Sequence, residues 1–207
     1  MSVTVGIVGI DRWKELSKPC IDSILSYESG ADIVIVDNAS KTPYPSTGDA
    51  KVVRVKKRVG YAEAMNKVLF YAQPSDWYIL INDDVLCEAP FIRRVEAMEP
   101  GLYGLQMNGN NLTKEYIDGW FYLIHSTVIG LVGRFDPAYK VAGWEDVDYC
   151  HVARTVGFIP TKIELPFRHI KGQTRFAIPE YDKIRASNRR YFEEKHGLKA
   201  GHNTSGG

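Results

Sequence analysis

The stretch Trp77-Tyr78-Ile79-Leu80-Ile81-Asn82-Asp83-Asp84-Val85 decides the fold. An apolar run flows without a break into two carboxylates. Such a run, bounded by polar residues, reads as a strand buried on both faces at the centre of a parallel sheet. In open α/β sheets the working groups stand just beyond the carboxyl ends of the strands. Asn82, Asp83 and Asp84 are therefore expected at the mouth of a crevice. Adjacent carboxylates repel, and a cation between or beside them relieves that repulsion. All-oxygen groups of this kind suit Mg²⁺ or Mn²⁺, with phosphate oxygens completing the shell. The competing reading is a solvated turn in which Asp caps a following helix.

The preceding segments share one rhythm. Val3 to Ile10 reads as a first strand, and Asp11 to Leu16 as a polar connection. Ser17 is an expected N-cap, with Pro19 in the first turn of a helix reaching Tyr27. Cys20, Ile24 and Tyr27 share one face of that helix at helical spacing. Asp32 to Val36 is a second strand that delivers Asp37-Asn38 to its end, and Val52 to Val55 is a third. A helix opens at Tyr61, and Pro74-Ser75 closes it.

Beyond the quoted stretch, Pro90 to Met98 reads as a helix. Leu102 to Met107 and Trp120 to Ile124 read as an antiparallel pair of strands. Ser126 to Leu131 is a short helix, Gly133 to Gly143 a loop and Asp146 to Thr155 a helix. Phe158 to Leu165 is extended, and Pro179 to Lys195 is a charged amphipathic helix. The order predicts an α/β fold, a mostly parallel sheet with helices on its faces. No internal repeat interrupts it, so residues 1–200 read as one domain and 201–207 as a flexible tail.

The bulk composition removes several function classes. The 207 residues are 44% hydrophobic and 25% charged, a balance suited to a globular core. A net charge of +1 gives no global attraction for nucleic acid or an anionic membrane, so any anion must be held by local groups. Cys20, Cys87 and Cys150 are odd in number and widely spaced, which points to neither a zinc site nor a disulfide framework. A reducing, cytoplasmic setting is the simpler expectation. No apolar run has the length of a membrane span, and residues 1–10 lack a basic leader pattern. The Gly/Ser-containing end leaves open that the chain is one domain of a longer protein, and the acceptor patterns at Asn111 and Asn203 carry no meaning in a cytosolic protein.

Four strand ends carry polar groups toward one edge: Ile10-Asp11, Asp37-Asn38, Lys56-Lys57-Arg58 and Asn82-Asp83-Asp84. That convergence is what a nucleotide site requires. Asp37 can accept from base or ribose, and Arg58 ahead of Gly60 and a helix start can meet phosphate. Taken singly, the first pair is equally an Asx-type turn. A second cluster, Gly143-Trp144-Glu145-Asp146-Val147-Asp148, places three acids at a loop-to-helix junction. Acids ordinarily complement a helix N-terminus. Here Trp144 precedes them as a flat surface for a sugar, with Glu145 beside it, and Asp146 is positioned as a candidate general base. A third item is His169, a neutral imidazole suited to a transition metal. Lys171, Thr174 and Arg175 follow it on a Gly-containing loop that can hold phosphates.

Taken in order, these segments resemble family 2 glycosyltransferases of the GT-A fold. LSKPCIDSIL (16–25) is similar to the family's first helix, VDNAS (36–40) to its nucleotide-contacting turn, and RVGYAEAMNK (58–67) to its Asn-x-Gly-x-x-x-Ala-x-Asn segment, with Arg58 at the Asn position. LINDDV (80–85) resembles the DXD-type motif with Asn82 at the first acid, and residues 133–158 resemble the Gly-x-Phe-Asp to Glu-Asp-x-Asp block. The resemblance runs over residues 3–175. It implies a single Rossmann-like GT-A domain and inverting transfer from a nucleotide-sugar donor, UDP-sugar favoured, to a glycan or glycoconjugate hydroxyl. It further implies Mn²⁺ or Mg²⁺ on Asp84 and His169, donor contacts from Asp37, Asn82 and Asp83, and Asp146 as base. Two other functions are weighed against it: a sugar nucleotidyltransferase, whose glycine-rich loop after strand one is lacking in DRWKELSKP (11–19), and a catalytically silent nucleotide- or sugar-binding module.

Overall fold

The computed structural model describes residues 1–110, 112–170 and 179–198. The expected tail at 201–207, the Lys171–Arg175 loop and the acceptor patterns at Asn111 and Asn203 lie wholly or partly outside the described residues.

Strand β1 (Val3–Gly9) is followed by a π-helical turn at Trp13–Ser17, helix α1 (Lys18–Tyr27), β2 (Asp32–Asp37), β3 (Lys51–Arg54) and α2 (Tyr61–Tyr71). Then come β4 (Trp77–Asn82), β5 (Val85–Cys87), α3 (Ile92–Glu96), β6 (Leu102–Gly104), β7 (Met107–Asn108), β8 (Tyr116–Ile117) and β9 (Phe121–His125). The rest is α4 (Ser126–Val132), α5 (Glu145–Thr155), β10 (Thr161–Lys162), β11 (Phe167–His169) and α6 (Tyr181–His196). Seven strands form the main sheet in the order β10-β6-β9-β4-β1-β2-β3. β9 alone runs against its neighbours β4 and β6; the other pairings are parallel. The mostly parallel sheet flanked by helices is the expected fold class.

The alternation of side chains along each strand explains the two cores. Val34, Val36, Leu80 and Tyr122 meet Met65 and Val68 of α2 and Cys150 of α5 on one face. Ile33, Ile35, Ile79, Ile81 and Leu123 meet Cys20, Ile21 and Ile24 of α1 on the other. A fully buried aliphatic side chain contributes about 1.5–3 kcal/mol relative to exposure. The close approach of α2 to β1 depends on Gly6, where a Cβ would stand 2.2 Å from Val68 Cγ1.

Several local expectations are corrected. Ser17 does not cap α1: its backbone is helical, and its hydroxyl turns inward to a carboxylate. Tyr27 is exposed rather than on the buried face of α1. The polar connection at 11–16 contains the π-turn, which continues into α1. The expected strand at 102–107 is two short strands in different sheets, because β7 leaves to pair with β8. The quoted stretch ends as a strand at Asn82; Val85 starts β5, which pairs with β11 instead.

Candidate active site

A cleft of about 500 Å³ opens at the carboxyl ends of β1 and β4. Its floor is Gly9, Ile10, Asn82 and Asp83; Asn38 and Arg58 form one side, and Asp118, Trp120, Glu145 and Asp146 another. His169 reaches it from β11, and Val141–Gly143 and Tyr181 complete its rim. The location follows from topology, because parallel strands deliver their ends to the same edge.

The residue just after β2 builds the Arg58 side. Asn38 donates Nδ2–H to the Val59 carbonyl and accepts from the Val59 N–H, both at 3.0 Å. One side chain thus satisfies both backbone groups of Val59 and sets Arg58 beside the cleft. Lys56 and Lys57 remain in solvent. Asp37 is fully buried, and it does not line the cleft. Its oxygens accept from the Ser40 and Tyr44 N–H groups at 2.8 and 3.1 Å and from Arg54. Burial works against its charge, yet the Ser40, Tyr44 and Arg54 hydrogen bonds hold its pKa below the ordinary value. The structure therefore gives Asp37 the work of ordering the loop after β2.

Asp84 and His169 meet through the short β5–β11 ribbon. His169 stands opposite Val85, and the Ile170 N–H donates to the Asp84 carbonyl at 2.8 Å. His169 Nε2 then lies 3.0 Å from Asp84 Oδ1, and the Trp120 indole stacks on the imidazole with centroids 4.7 Å apart. Asp83 turns the other way. Its Oδ2 accepts from Ser17 Oγ at 2.7 Å, and Ser17 Oγ is 2.9 Å from the Tyr44 hydroxyl. Burial pushes the Asp83 carboxyl up to about 7; the Ser17 hydrogen bond opposes this and the Asp84 charge adds to it.

Gly9 makes this oxygen cluster possible. A Cβ there would sit 2.6 Å from Asp83 Oδ2 and 2.7 Å from both Ser17 Oγ and the Tyr44 hydroxyl. Gly9→Ala is expected to destabilise the protein by about 1–3 kcal/mol, the usual range for overpacking a tight interior. Urea unfolding measures it; an unchanged midpoint would show that the cluster yields freely.

Of the acids at the start of α5, two face the cleft and one does not. Asp146 lines it and accepts from the Val147 N–H at 2.9 Å. Burial raises its pKa, with the Asp118 charge adding and the Val147 and Gly119 N–H groups opposing. Glu145 is also raised, first by burial and then by the Asp146 charge, and its Oε2 has no hydrogen-bond partner among the described residues. Asp148 points away, binding Tyr139, Lys195 and His196 at 3.0, 2.9 and 2.7 Å. Trp144 also leaves the cleft. It has a left-handed backbone (φ 78°), packs on Phe192 and borders a second cavity. The aromatic in the same cleft as Asp146 is Trp120.

A buried acid with a raised pKa makes stability fall as pH rises, because the unfolded chain releases its proton first. Below the ordinary value of 4.5 both states hold the Glu145 proton and the effect vanishes. Glu145→Gln is therefore expected to raise the Tm at pH 8 and leave it unchanged near pH 4. Equal Tm values at both pH values would mean that Glu145 is solvated in the folded protein.

Asp118, Tyr61, Asn188 and Gly9 also build the site, although the sequence does not mark them as site residues. The Tyr61 hydroxyl donates to the Gly119 carbonyl at 2.7 Å, and its N–H to the Val141 carbonyl, also at 2.7 Å. Asn188, buried in α6, accepts from the Lys140 N–H at 3.0 Å and donates to the Lys140 and Gly143 carbonyls at 2.9 and 2.8 Å. It thereby holds the rim, where Val141 and Gly143 have φ values of 58° and 95°. Asp118-Gly119 before an aromatic strand start was the one available signal, a turn dipeptide delivering an acid to a strand end. Nothing local marks Asn188.

Asp84 and His169 are the candidate donors for a divalent cation. Among the described residues no three His, Cys, Asp or Glu side chains gather to hold a metal. Asp84 and His169 supply one oxygen and one nitrogen, a partial shell of the kind that phosphate oxygens and water complete. The cleft's lining sets Arg58 against four acidic side chains, Asp83, Asp118, Glu145 and Asp146. Two observations, the paired ligands and this acidic surplus, fit a cation that binds together with an anionic substrate.

No family model and no curated protein matches the sequence. Solved structures do match. GalNAc-T7 with UDP, GalNAc and Mn²⁺ has a TM-score of 0.68 at 12% identity, over 96% of this chain and 55% of that one. The mannosyltransferase PcManGT from Pyrobaculum calidifontis, in complex with GDP-Man and Mn²⁺, has a TM-score of 0.67 at 15% identity, over 94% and 63%. S. aureus TarS 1-349 in complex with UDP-GlcNAc has a TM-score of 0.66 at 11% identity, over 94% and 66%. The present chain thus spans roughly half to two thirds of the length of these structures. At such identities the likeness establishes architecture, and that architecture is the GT-A fold of glycosyltransferases.

Proposed function

We propose that the chain is an inverting glycosyltransferase that moves a sugar from a nucleoside-diphosphate donor, a UDP-sugar first, to a hydroxyl of a glycan or glycoconjugate. One observation carries this reading: a single cleft brings His169, which is bonded to Asp84 behind it, together with Asp146 and Glu145. The three solved structures named above hold UDP, GDP-Man or UDP-GlcNAc. They support the donor class without specifying the sugar.

In this mechanism Arg58 meets the diphosphate, and Asn82 offers an uncharged amide to ribose or sugar hydroxyls. Asp146 takes the proton of the acceptor hydroxyl. The acceptor oxygen bonds to the anomeric carbon as the bond from that carbon to the phosphate oxygen breaks, and the nucleoside diphosphate leaves from the opposite face. The raised pKa of Asp146 strengthens it as a base. Mn²⁺ or Mg²⁺, held by Asp84 and His169, supplies Lewis-acid neutralisation of the leaving diphosphate when bound. Asp83, bonded to Ser17, and Asp37, bonded within its own loop, support the walls around the donor.

Calorimetric titration of UDP with Mn²⁺, then with EDTA, and again with GDP and dTDP, tests the reading. Manganese-dependent binding of one nucleotide is expected. Folded protein that binds none of the three overturns it. Binding without turnover of any donor would instead favour a silent binding module.

A further inference from the structure

A second cavity of about 390 Å³ lies beside the first, lined by Trp144, Asp182, Arg185 and Arg189, with Asn110 and Leu112 opposite. Its size falls within the usual range for small-molecule sites. The two cavities adjoin at Gly143. That residue and Tyr181 border the large cleft, whereas the next residues along each segment, Trp144 and Asp182, border the second. The Tyr181 hydroxyl and Arg185 Cγ stand close to this junction, each 3.5 Å from where a Cβ on Gly143 would be.

The two cavities differ in their charged groups. The large cleft is lined by four acidic side chains against Arg58. The second carries two arginines against one carboxylate, Asp182. Arg189 lies over the Trp144 ring at 5.9 Å and binds Glu193 through Nε at 2.8 Å, so its terminal nitrogens are not part of that bond. Arg185 makes no hydrogen bond or ion pair among the described residues. A guanidinium fork matches a carboxylate or phosphate. The Trp144 indole, buried between its neighbours with Phe192 packed on it and Arg189 over it, forms part of the wall behind that fork.

Resting on the transferase reading above, we propose that the second cavity is an acceptor subsite for an anionic sugar unit, with Arg185 and Arg189 on its carboxylate or phosphate and Trp144 in the wall beside them. Because the two cavities adjoin, an acceptor that places its reacting hydroxyl at Asp146 can set its charged unit here.

The full chain, labelled with nitrogen-15, is titrated with glucose, glucuronate and glucose 6-phosphate. Two indole N–H signals are followed, Trp144 in the subsite and Trp120 in the cleft, assigned from Trp144→Phe and Trp120→Phe. Both acidic sugars are expected to move the Trp144 signal and to bind at least about tenfold more tightly than glucose, the step worth one charge-assisted hydrogen bond. The stronger of the two names the anion. Arg185→Gln combined with Arg189→Gln is expected to abolish the response, while its spectrum reports that the fold is retained. Glucose binding as tightly as the acids, or a Trp144 signal that neither acid moves, overturns the subsite. UDP with Mg²⁺ is added separately and read at Trp120, so loss of the donor reading is seen independently of loss of the subsite.

Discussion

Asp146→Asn is expected to lower transfer by about 10²–10⁴-fold, the usual contribution of a positioned general base, with UDP affinity unchanged. Asn keeps the side chain's shape and its oxygen can still accept from the Val147 N–H, so the start of α5 stays in place. The variant lacks only a group able to take a proton. Burial raises the Asp146 pKa. The base acts when ionised, so wild-type kcat/KM is expected to rise with pH through that raised value, and any residual rate of the variant is expected to lack this rise. Glu145 stands next to it in the same cleft, and removing the Asp146 charge lowers the pKa of Glu145 toward its ordinary value. The double variant with Glu145→Gln separates rescue by this neighbour from base-free transfer. Full activity of Asp146→Asn with an unchanged pH profile would remove Asp146 from the role.

Asp84→Ala is expected to abolish the manganese-dependent part of UDP binding and to slow transfer about 10³-fold. That is the size of several kcal/mol of Lewis-acid stabilisation at 1.36 kcal/mol per decade. The wild type in EDTA should behave like the variant, since both lack the same interaction. Asp84→Asn controls for packing, because Asp84 is buried and an alanine there leaves a hole as well as removing a ligand. His169→Ala is expected to act in the same direction, but it also uncovers the Trp120 indole that stacks on the imidazole. Mn²⁺ binding followed by electron paramagnetic resonance gives a readout independent of turnover. Unchanged Mn²⁺ affinity in both Asp84 variants would place the cation elsewhere.

The architecture was legible because its signals are local. The apolar run at 77–81 must be buried on both faces, and a strand so buried belongs inside a sheet with helices on each side. The observed β4 sits between β1 and β9, with buried side chains on both faces. The antiparallel pairing of the strand near Trp120 was also legible. Small departures arose where neighbours outweighed local pattern. Ser17 has the composition of a cap, yet a buried carboxylate 66 positions away takes its hydroxyl. β7 separates from β6 because β8 offers it a partner.

The site was legible as a set of residues and much less so as a geometry. Asn82-Asp83-Asp84 stands where a strand end must place it, and Glu145-Asp146 shares the cleft with it. Residue type alone cannot say which way each acid turns. Asp83 faces Ser17, Asp84 faces His169, and Asp148 faces Lys195 and His196. The left-handed backbone at Trp144 carries its ring out of the cleft, an orientation that the clamp from Asn188 in α6 maintains.

By itself, then, the sequence determined the sheet, its helical layers and the edge where polar groups collect, because hydrophobic period and strand-end chemistry are properties of neighbouring residues. Only the tertiary structure decided which acids face one another, that His169 lies on Trp120, and that an arginine-lined second cavity adjoins the acidic cleft. Those facts depend on contacts between segments up to 85 residues apart, where packing and the satisfaction of buried polar groups, rather than local preference, choose each rotamer.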